Sequence, residues 1–363
     1  MSAGRSSTIA PALVTPPDTD VDVLVAALRT GRGRRLAGLL ALLALAAVGV
    51  VASLALGARD IPPSVVIDAL LHPSRGDTSF DVAVVIDERL PRTVLAVLVG
   101  AALGAAGAIM QAVTRNPLVD GGILGTELGA AVAVVSAILF LGVSGAVTYF
   151  WFALIGAAVA TAVVLAMARL ATDTSETVSL VISGAAVSAL LGALITVMTI
   201  RDSGVFSAFR YWSIGQLVGR SSVLADLWMF VVVGLVLALF LGGMLNVLSL
   251  GDDIAAALGV GVGRAQLVAM IVAVLLCAAA TAATGPIAFV GLVGAHVARL
   301  LVGADQRWTI PYAMLAGAVI LLVADVLGRL APGQGEIQVG VMTAIVGTPF
   351  FVALARRRKV VAA

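Results

Sequence analysis

The chain has 363 residues, 61% of them hydrophobic and only 12% charged, where a soluble domain carries roughly 25% charged residues. That balance, with a mean hydropathy of +1.13, excludes a water-soluble globular fold and puts most of the chain in a bilayer. The formal charge of +2 comes from arginines in the breaks between apolar runs, a pattern of membrane topology rather than of nucleic-acid binding.

The first residues, MSAGRSSTIAPALVTPPDTD, are rich in Ser, Thr and Pro and cannot bury a core. Residues 1–33 are expected to form a largely disordered cytoplasmic tail. Leu36 to Leu56 follows Arg32, Arg34 and Arg35 and is too long for the apolar region of a secretory signal, so it reads as a retained helix. Apolar runs then predict about ten spans near 36–57, 93–113, 126–143, 148–169, 177–200, 227–248, 265–284, 287–302, 311–330 and 340–355. An N-terminus in the cytoplasm places 14 of the 22 basic residues inside. The RRRK run at Arg356 to Lys359 then predicts an even number of spans with both termini cytoplasmic.

Within the second span, Gly100, Gly104, Gly107 and Ala108 form a small-residue face for close helix packing. RNPLVDGGILGTELG, residues 115–129, poses a choice between a phosphate cradle and a turn. A phosphate loop needs a following lysine, and the only lysine is Lys359. The patch therefore reads as the cytoplasmic turn into the third span, with Glu127 at a helix start. In the fifth span Gly184, Ser188, Gly192 and Thr196 recur every four residues as a small, weakly polar stripe. It lines a pathway or packs a neighbour, with hydroxyls bonded back to their own backbone.

Other chemistry is sparse. Cys277 is the only cysteine, and His72 and His296 are the only histidines, which excludes an internal disulfide and a thiolate metal cluster. Ser183 with His296 is a weak pattern for an intramembrane protease. Asp325 is the one acid well inside an apolar run, a functional candidate by default, with Arg329 four residues on as a local ion-pair partner. Arg89 and Arg92 around Pro91, and Arg329, fall on the outer side against the charge bias, which invites a partner with carboxylates or snorkelling to headgroups. SLGDDIAAALGVGVGR reads as a short acid-tipped helix ended by Gly259, a handle for a soluble partner.

These segments together resemble the permease subunits of type II ABC importers, which carry iron-siderophores, haem and cobalamin. The resemblance covers about residues 36–358. It rests on RLPRTVLAVLVGAALGAAGAIMQAVTRNPLVDGGILG, YWSIGQL, LGDDIAAALGV, GPIAFVGLVGAHVARLLVGADQRWTIP, and ADVLGRL followed by EIQVGVMTAIVGTPFFVALARR. It implies an all-α polytopic permease domain over 34–358, with a coupling segment at 249–264 and a cytoplasmic tail at 359–363. It also implies a dimer of permeases, two ATPase subunits below and a substrate-binding protein above. The chain itself is then no enzyme and binds no cofactor or metal, with ATP and magnesium on the partner ATPase. By the same resemblance Arg89, Arg92 and Arg329 meet acidic residues of the binding protein. Gly251, Asp252, Asp253, Ala257, Leu258 and Gly259 couple to the ATPase. Gly184, Ser188, Gly192 and Thr196, with Thr343 and Gly347 of the tenth span, line the pathway.

Where the family commonly reads RNPLADPGILG, Val119 and Gly121 stand here, Glu127 replaces a small polar residue, and the family's Pro-His pair is Ala295 and His296. These departures question two identical, symmetric gates, so the second permease subunit is either another copy (homodimer) or a different, more typical chain (heterodimer). The expected function is import of a ferric-siderophore through the bacterial cytoplasmic membrane, with cobalamin or haem as the nearest alternative. An ion-coupled secondary transporter is the rival from another class, and those place charged or unwound residues at the midplane.

Overall fold

A computed structural model describes residues 21–57, 61–72, 79–122, 124–170, 176–331 and 335–356. The chain is helical nearly throughout. In order the helices are α1 (Val21–Ala55), α2 (Pro63–Leu71), α3 (Phe80–Ala83), α4 (Leu90–Thr114), α5 (Thr126–Leu141), α6 (Ala146–Leu170) and α7 (Glu176–Arg201). They continue as α8 (Ser203–Ser213), α9 (Leu224–Ser249), α10 (Asp252–Ala257), α11 (Val262–Thr284), α12 (Val290–Val302), α13 (Gln306–Leu330) and α14 (Val339–Arg356).

Among the described residues, seven helices are long and apolar enough to cross a membrane, and three more, over 126–141, 290–302 and 339–352, are apolar but shorter. Together they fall on the ten expected spans. The tail expected over 1–33 is already helical from Val21, because VDVLVAALR is rich in Ala, Leu and Arg, which favour helix. Residues 1–20 and 357–363, including the tail at 359–363, lie outside the described residues.

Glycines set the tightest crossing. α4 packs on α13 with Gly100 against Gly317, where an added Cβ would lie 2.5 Å from the Gly317 carbonyl oxygen. Gly104 meets Ala313 and Gly107 meets Gly291 in the same way. No hydrophobic force holds helices together inside lipid, so this backbone-to-backbone approach and its dispersion energy hold the pair. The small-residue face read in the second span is this contact.

Ahead of α4 the backbone makes a π-helical turn, Val84–Arg89, and Pro91 lies in the first turn of α4. Proline has no N–H to donate and its ring crowds the carbonyl four residues back. Widening the preceding turn relieves both conflicts.

Three helices were absent from the sequence reading. α2, α3 and α8 fall in stretches read as outer breaks. Asp202 caps α8, accepting from the Gly204 N–H at 2.7 Å and the Val205 N–H at 3.2 Å. The non-helical stretch after α8 is knitted to two others. The Gln216 N–H donates to the Thr284 carbonyl at 2.7 Å and the Gly340 N–H to the Gly215 carbonyl at 3.0 Å. Irregular backbone survives at this depth because its polar groups are satisfied inside the protein.

Candidate permease sites

The patch after α4 is exposed at Arg115 and Leu118 and buried at Val119 and Gly121. Arg115 ends α4 in the left-handed conformation, φ 49°. It donates to the Leu248 carbonyl from Nε at 3.2 Å and Nη2 at 2.8 Å, and pairs with Asp252. This fixes one end of the loop beside the end of α9 and the start of α10. Six residues later Gly121 lies against Cys277 Sγ, so that an added Cβ would collide with the sulfur. Cys277 is 15 residues past Val262 in α11, roughly 22 Å along the helix at 1.5 Å per residue. The loop therefore turns at Asn116–Val119 and passes from the α10 end into the bundle against α11. The expected turn from the second span into the third is this connection of α4 to α5, and its far end packs inside the bundle, where glycine suits a chain passing close to its neighbours as well as it suits a turn.

One short helix, α5, starts from this loop, and a second, α12, starts from residues 285–289 beside it. α5 has 16 residues and α12 has 13, about 24 Å and 20 Å long, against a hydrocarbon core of about 30 Å. Asp120 joins them, accepting from the Gly121 N–H at 2.8 Å and from the Phe289 N–H ahead of α12. Glu127 stands in the first turn of α5 and is half-buried, with its carboxylate facing Gly122. On the other side of the loop, Gly125 faces Val187 and Ser188 of α7.

That contact places the small stripe of α7. Gly184 is buried, Ser188 and Gly192 are half-buried and Thr196 is exposed, so the stripe runs from the loop to an open face. Gly192 has open space where a side chain would be. The Thr196 hydroxyl donates back to the Gly192 carbonyl at 2.9 Å. Thr343 and Gly347 are placed differently. Thr343 is buried and donates to the Gly340 carbonyl at 3.0 Å, and Gly347 is buried against Phe289, where a Cβ would lie 2.5 Å from the Phe289 Cβ. Both face the chain's own α12 side. The open face of α14 carries Val341, Ile345, Val346 and Val352 instead.

At the other end of the bundle the three arginines turn inward. Arg92 donates to Asp325 from Nε at 2.9 Å and Nη2 at 2.8 Å, and to Glu336 from Nη1 at 2.7 Å. Arg329 donates to Asp325 at 2.6 Å, to Ser53 Oγ at 2.6 Å and to the Ser53 carbonyl at 2.8 Å. Arg89 donates to the Leu54 and Ala55 carbonyls, both at 2.8 Å. Arg89 and Arg329 thus satisfy the orphan carbonyls at the end of α1. Asp325 is 1% exposed and Arg329 is 6% exposed. The expectation of free outward charge is therefore not how these side chains stand. The Asp325–Arg329 pair read at a spacing of four is present, and Arg92, 233 positions from Asp325, completes it. The network floors an outer cavity of about 530 Å³ whose rim includes Asp87 and Glu88.

At the opposite end α10 presents a small interface. Ala255 is its buried residue, while Asp253, Ala257, Leu258 and Gly259 are exposed. Ile254 is 52% exposed and Leu258 62% exposed. Gly251, φ 110°, and Gly259, φ 82°, bracket the helix in conformations that favour glycine. Paired apolar knobs beside an acid suit a protein partner. Neither ring nitrogen of buried His296 has a hydrogen-bond partner among the described residues. Its ring packs edge-on against Phe350 rather than against Ser183, which leaves the intramembrane-protease pattern without a catalytic pair.

Ten apolar helices among the described residues, three of them short, packed around a glycine-lined core define a polytopic membrane permease. Residues 44–357 match the FecCD transport family, and the chain belongs to that family. It is 40% identical over 318 residues to the ferric enterobactin transport system permease protein FepD of Escherichia coli (strain K12), covering 87% of this chain and 94% of that protein. The iron(3+)-hydroxamate import system permease protein FhuB of Bacillus subtilis (strain 168) is 38% identical over 322 residues, 88% and 83% of the two chains. The hemin transport system permease protein HmuU of Yersinia pestis is 37% identical over 278 residues, 75% and 82%. Among solved structures, a metal-chelate type ABC transporter in an inward-facing conformation matches with a TM-score of 0.74 at 27% identity, covering 88% of this chain and 98% of that one. The chain is accordingly a permease subunit of an ABC transporter.

Proposed function

We propose that the chain carries a ferric-siderophore inward across the bacterial cytoplasmic membrane by alternating access, with both termini cytoplasmic. The observation that carries the substrate class is identity of 37% or more over most of the chain to permeases named for ferric enterobactin, a siderophore and iron(3+)-hydroxamate. The relative named for hemin covers less of the chain, at 75%, and makes haem the second reading.

ATP is bound and hydrolysed on separate ATPase subunits, which seat on the α10 surface through Asp253, Ile254 and Leu258; no Walker A lysine is available in this chain to do so. Arg115, tied to both Asp252 and the end of α9, then transmits movement of α10 to the loop between α4 and α5. The substrate-binding protein docks over the outer cavity. Arg89, Arg92 and Arg329 hold the floor of that surface and the more exposed Asp87 and Glu88 its rim.

The pathway lies along the α7 stripe, completed by a second permease packed on the open faces of α7 and α14. Exposed apolar residues on both helices, such as Ile182, Leu190, Val197, Ile345 and Val346, support burial against another subunit or lipid. The second permease is either another copy of this chain or a different one, and Glu127, at a position where the family carries a small polar residue, favours a different one. Uptake of radiolabelled iron supplied as a panel of siderophores, against hemin and cobalamin, tests the substrate. Uptake of hemin or cobalamin alone would overturn the siderophore assignment.

A further inference from the structure

The lower half of α1 meets the bundle at Tyr312 and leaves a groove beside that contact against α12 and α13. The groove has a volume of about 570 Å³ and runs from Gly31 to Leu45 along α1, about 21 Å at the helical rise. One leaflet of hydrocarbon is about 15 Å deep, so the groove spans a leaflet and enters the headgroup layer. Its two ends differ in chemistry. Along the membrane-buried part the walls are Ala41, Leu45 and Leu301, with Leu45 50% and Leu301 52% exposed, open sideways to the bilayer. At the mouth stand Arg34 and Arg35, with exposed Arg32 one turn away.

The mouth is under-neutralised. Asp305 is the acid paired there, to Arg35, at 3.4 Å, and Arg34 has no ion-pair partner among the described residues. Tyr312 donates its hydroxyl to the Arg35 carbonyl, which pins α1 at this level and keeps the groove open above it. Asp305 in turn accepts from Asn246 at 2.7 Å, so the mouth lies at the same end of the bundle as α10.

We infer that this groove binds one anionic phospholipid, its phosphate held by Arg34 and Arg35 and an acyl chain lying along Ala41, Leu45 and Leu301. Charge complementarity selects the headgroup, since a basic pocket between helices at an anionic leaflet attracts acidic lipids. The sideways-open apolar wall selects a lipid over a soluble anion, which would leave that wall bare. The bound lipid fills the gap between α1 and the bundle, so it mortars a peripheral helix whose outer face is otherwise lipid-facing, with Leu40, Leu43 and Val48 all more than half exposed.

The test uses the full-length chain with its partner subunits, purified in mild detergent, delipidated and titrated with phosphatidylglycerol, phosphatidylcholine or inorganic phosphate, with occupancy read by native mass spectrometry. Wild type is expected to hold one tight phosphatidylglycerol, with phosphatidylcholine about thirtyfold weaker, as two basic side chains at a membrane surface imply. Arg34→Gln with Arg35→Gln removes the preference. Ala41→Trp, at an exposed position on α1, blocks the acyl slot and abolishes the tight site while the arginines and the thermal midpoint are retained. Equal binding of the two lipids by wild type, or a preference that survives either variant, overturns the proposal. Inorganic phosphate that competes as well as phosphatidylglycerol identifies a free-anion site and overturns it too.

Discussion

Arg92 grips Asp325 with two donors, Nε at 2.9 Å and Nη2 at 2.8 Å, across 233 positions of sequence. The contact joins α4 to α13 at the outer end of their glycine-packed crossing, and Arg329 completes Asp325 from the other side at 2.6 Å. Both oxygens of this deeply buried acid are taken by guanidinium donors, which leaves it engaged in packing rather than placed to carry a cation. Asp325 is therefore a structural acid, and the ion-coupled transport rival loses the residue on which it rested.

Asp325→Ala should leave two buried guanidiniums facing each other. Breaking a buried charge pair from one side costs about 3–5 kcal/mol. The variant is expected to unfold in detergent well below the wild-type temperature, with Asp325→Asn intermediate. A wild-type midpoint for Asp325→Ala would contradict the structural role.

The arginines can also be tested as docking residues, separately from stability. All three arginines line the outer cavity, and Arg92, with 13% of its side chain exposed against 3% for Arg329, presents more of itself there. Arg92→Gln, in detergent-stable protein, is expected to weaken binding-protein affinity several-fold at low salt and less at high salt. Unchanged affinity at every salt concentration would assign the outer network to folding alone.

On α10, Asp253→Lys and Leu258→Ala alter exposed side chains and should leave insertion and stability intact. Both are expected to reduce stimulation of the partner ATPase by the loaded binding protein about tenfold, the scale of a single well-placed interface residue. Full stimulation in both variants would remove α10 from the coupling surface.

Gly121→Ala drives a methyl into Cys277 Sγ. Overpacking of this kind costs about 1–3 kcal/mol. Cys277→Ala removes the obstructing sulfur, so the double variant should recover most of the loss, a coupling measurable by a double-mutant cycle in thermal unfolding. Additive losses would place the loop away from α11.

Ten spans were legible in the sequence because crossing a bilayer demands about 20 apolar residues in a row, a one-dimensional property. The Asp325–Arg329 pair was legible because both sit on one helical face. The partners that complete it, Arg92 and Glu336, were not, since no local pattern joins residues more than 200 positions apart. The inward path of residues 115–125 was hidden for a different reason: Asn, Pro and Gly stop a helix whether the next residues meet water or pass in among other helices. Thr343 and Gly347 came from a resemblance that places a helix in the pathway without saying which of its faces is turned there.

The central claim is that this chain passes a ferric-siderophore inward and is driven by ATP on a partner subunit. Proteoliposomes holding the complete assembly, loaded with ATP inside or without it and presented with binding protein carrying a radiolabelled ferric-siderophore, test it most directly. ATP-dependent accumulation that is lost with Asp253→Lys and Leu258→Ala combined is the predicted result. Accumulation driven by an ion gradient with no ATP present would contradict it.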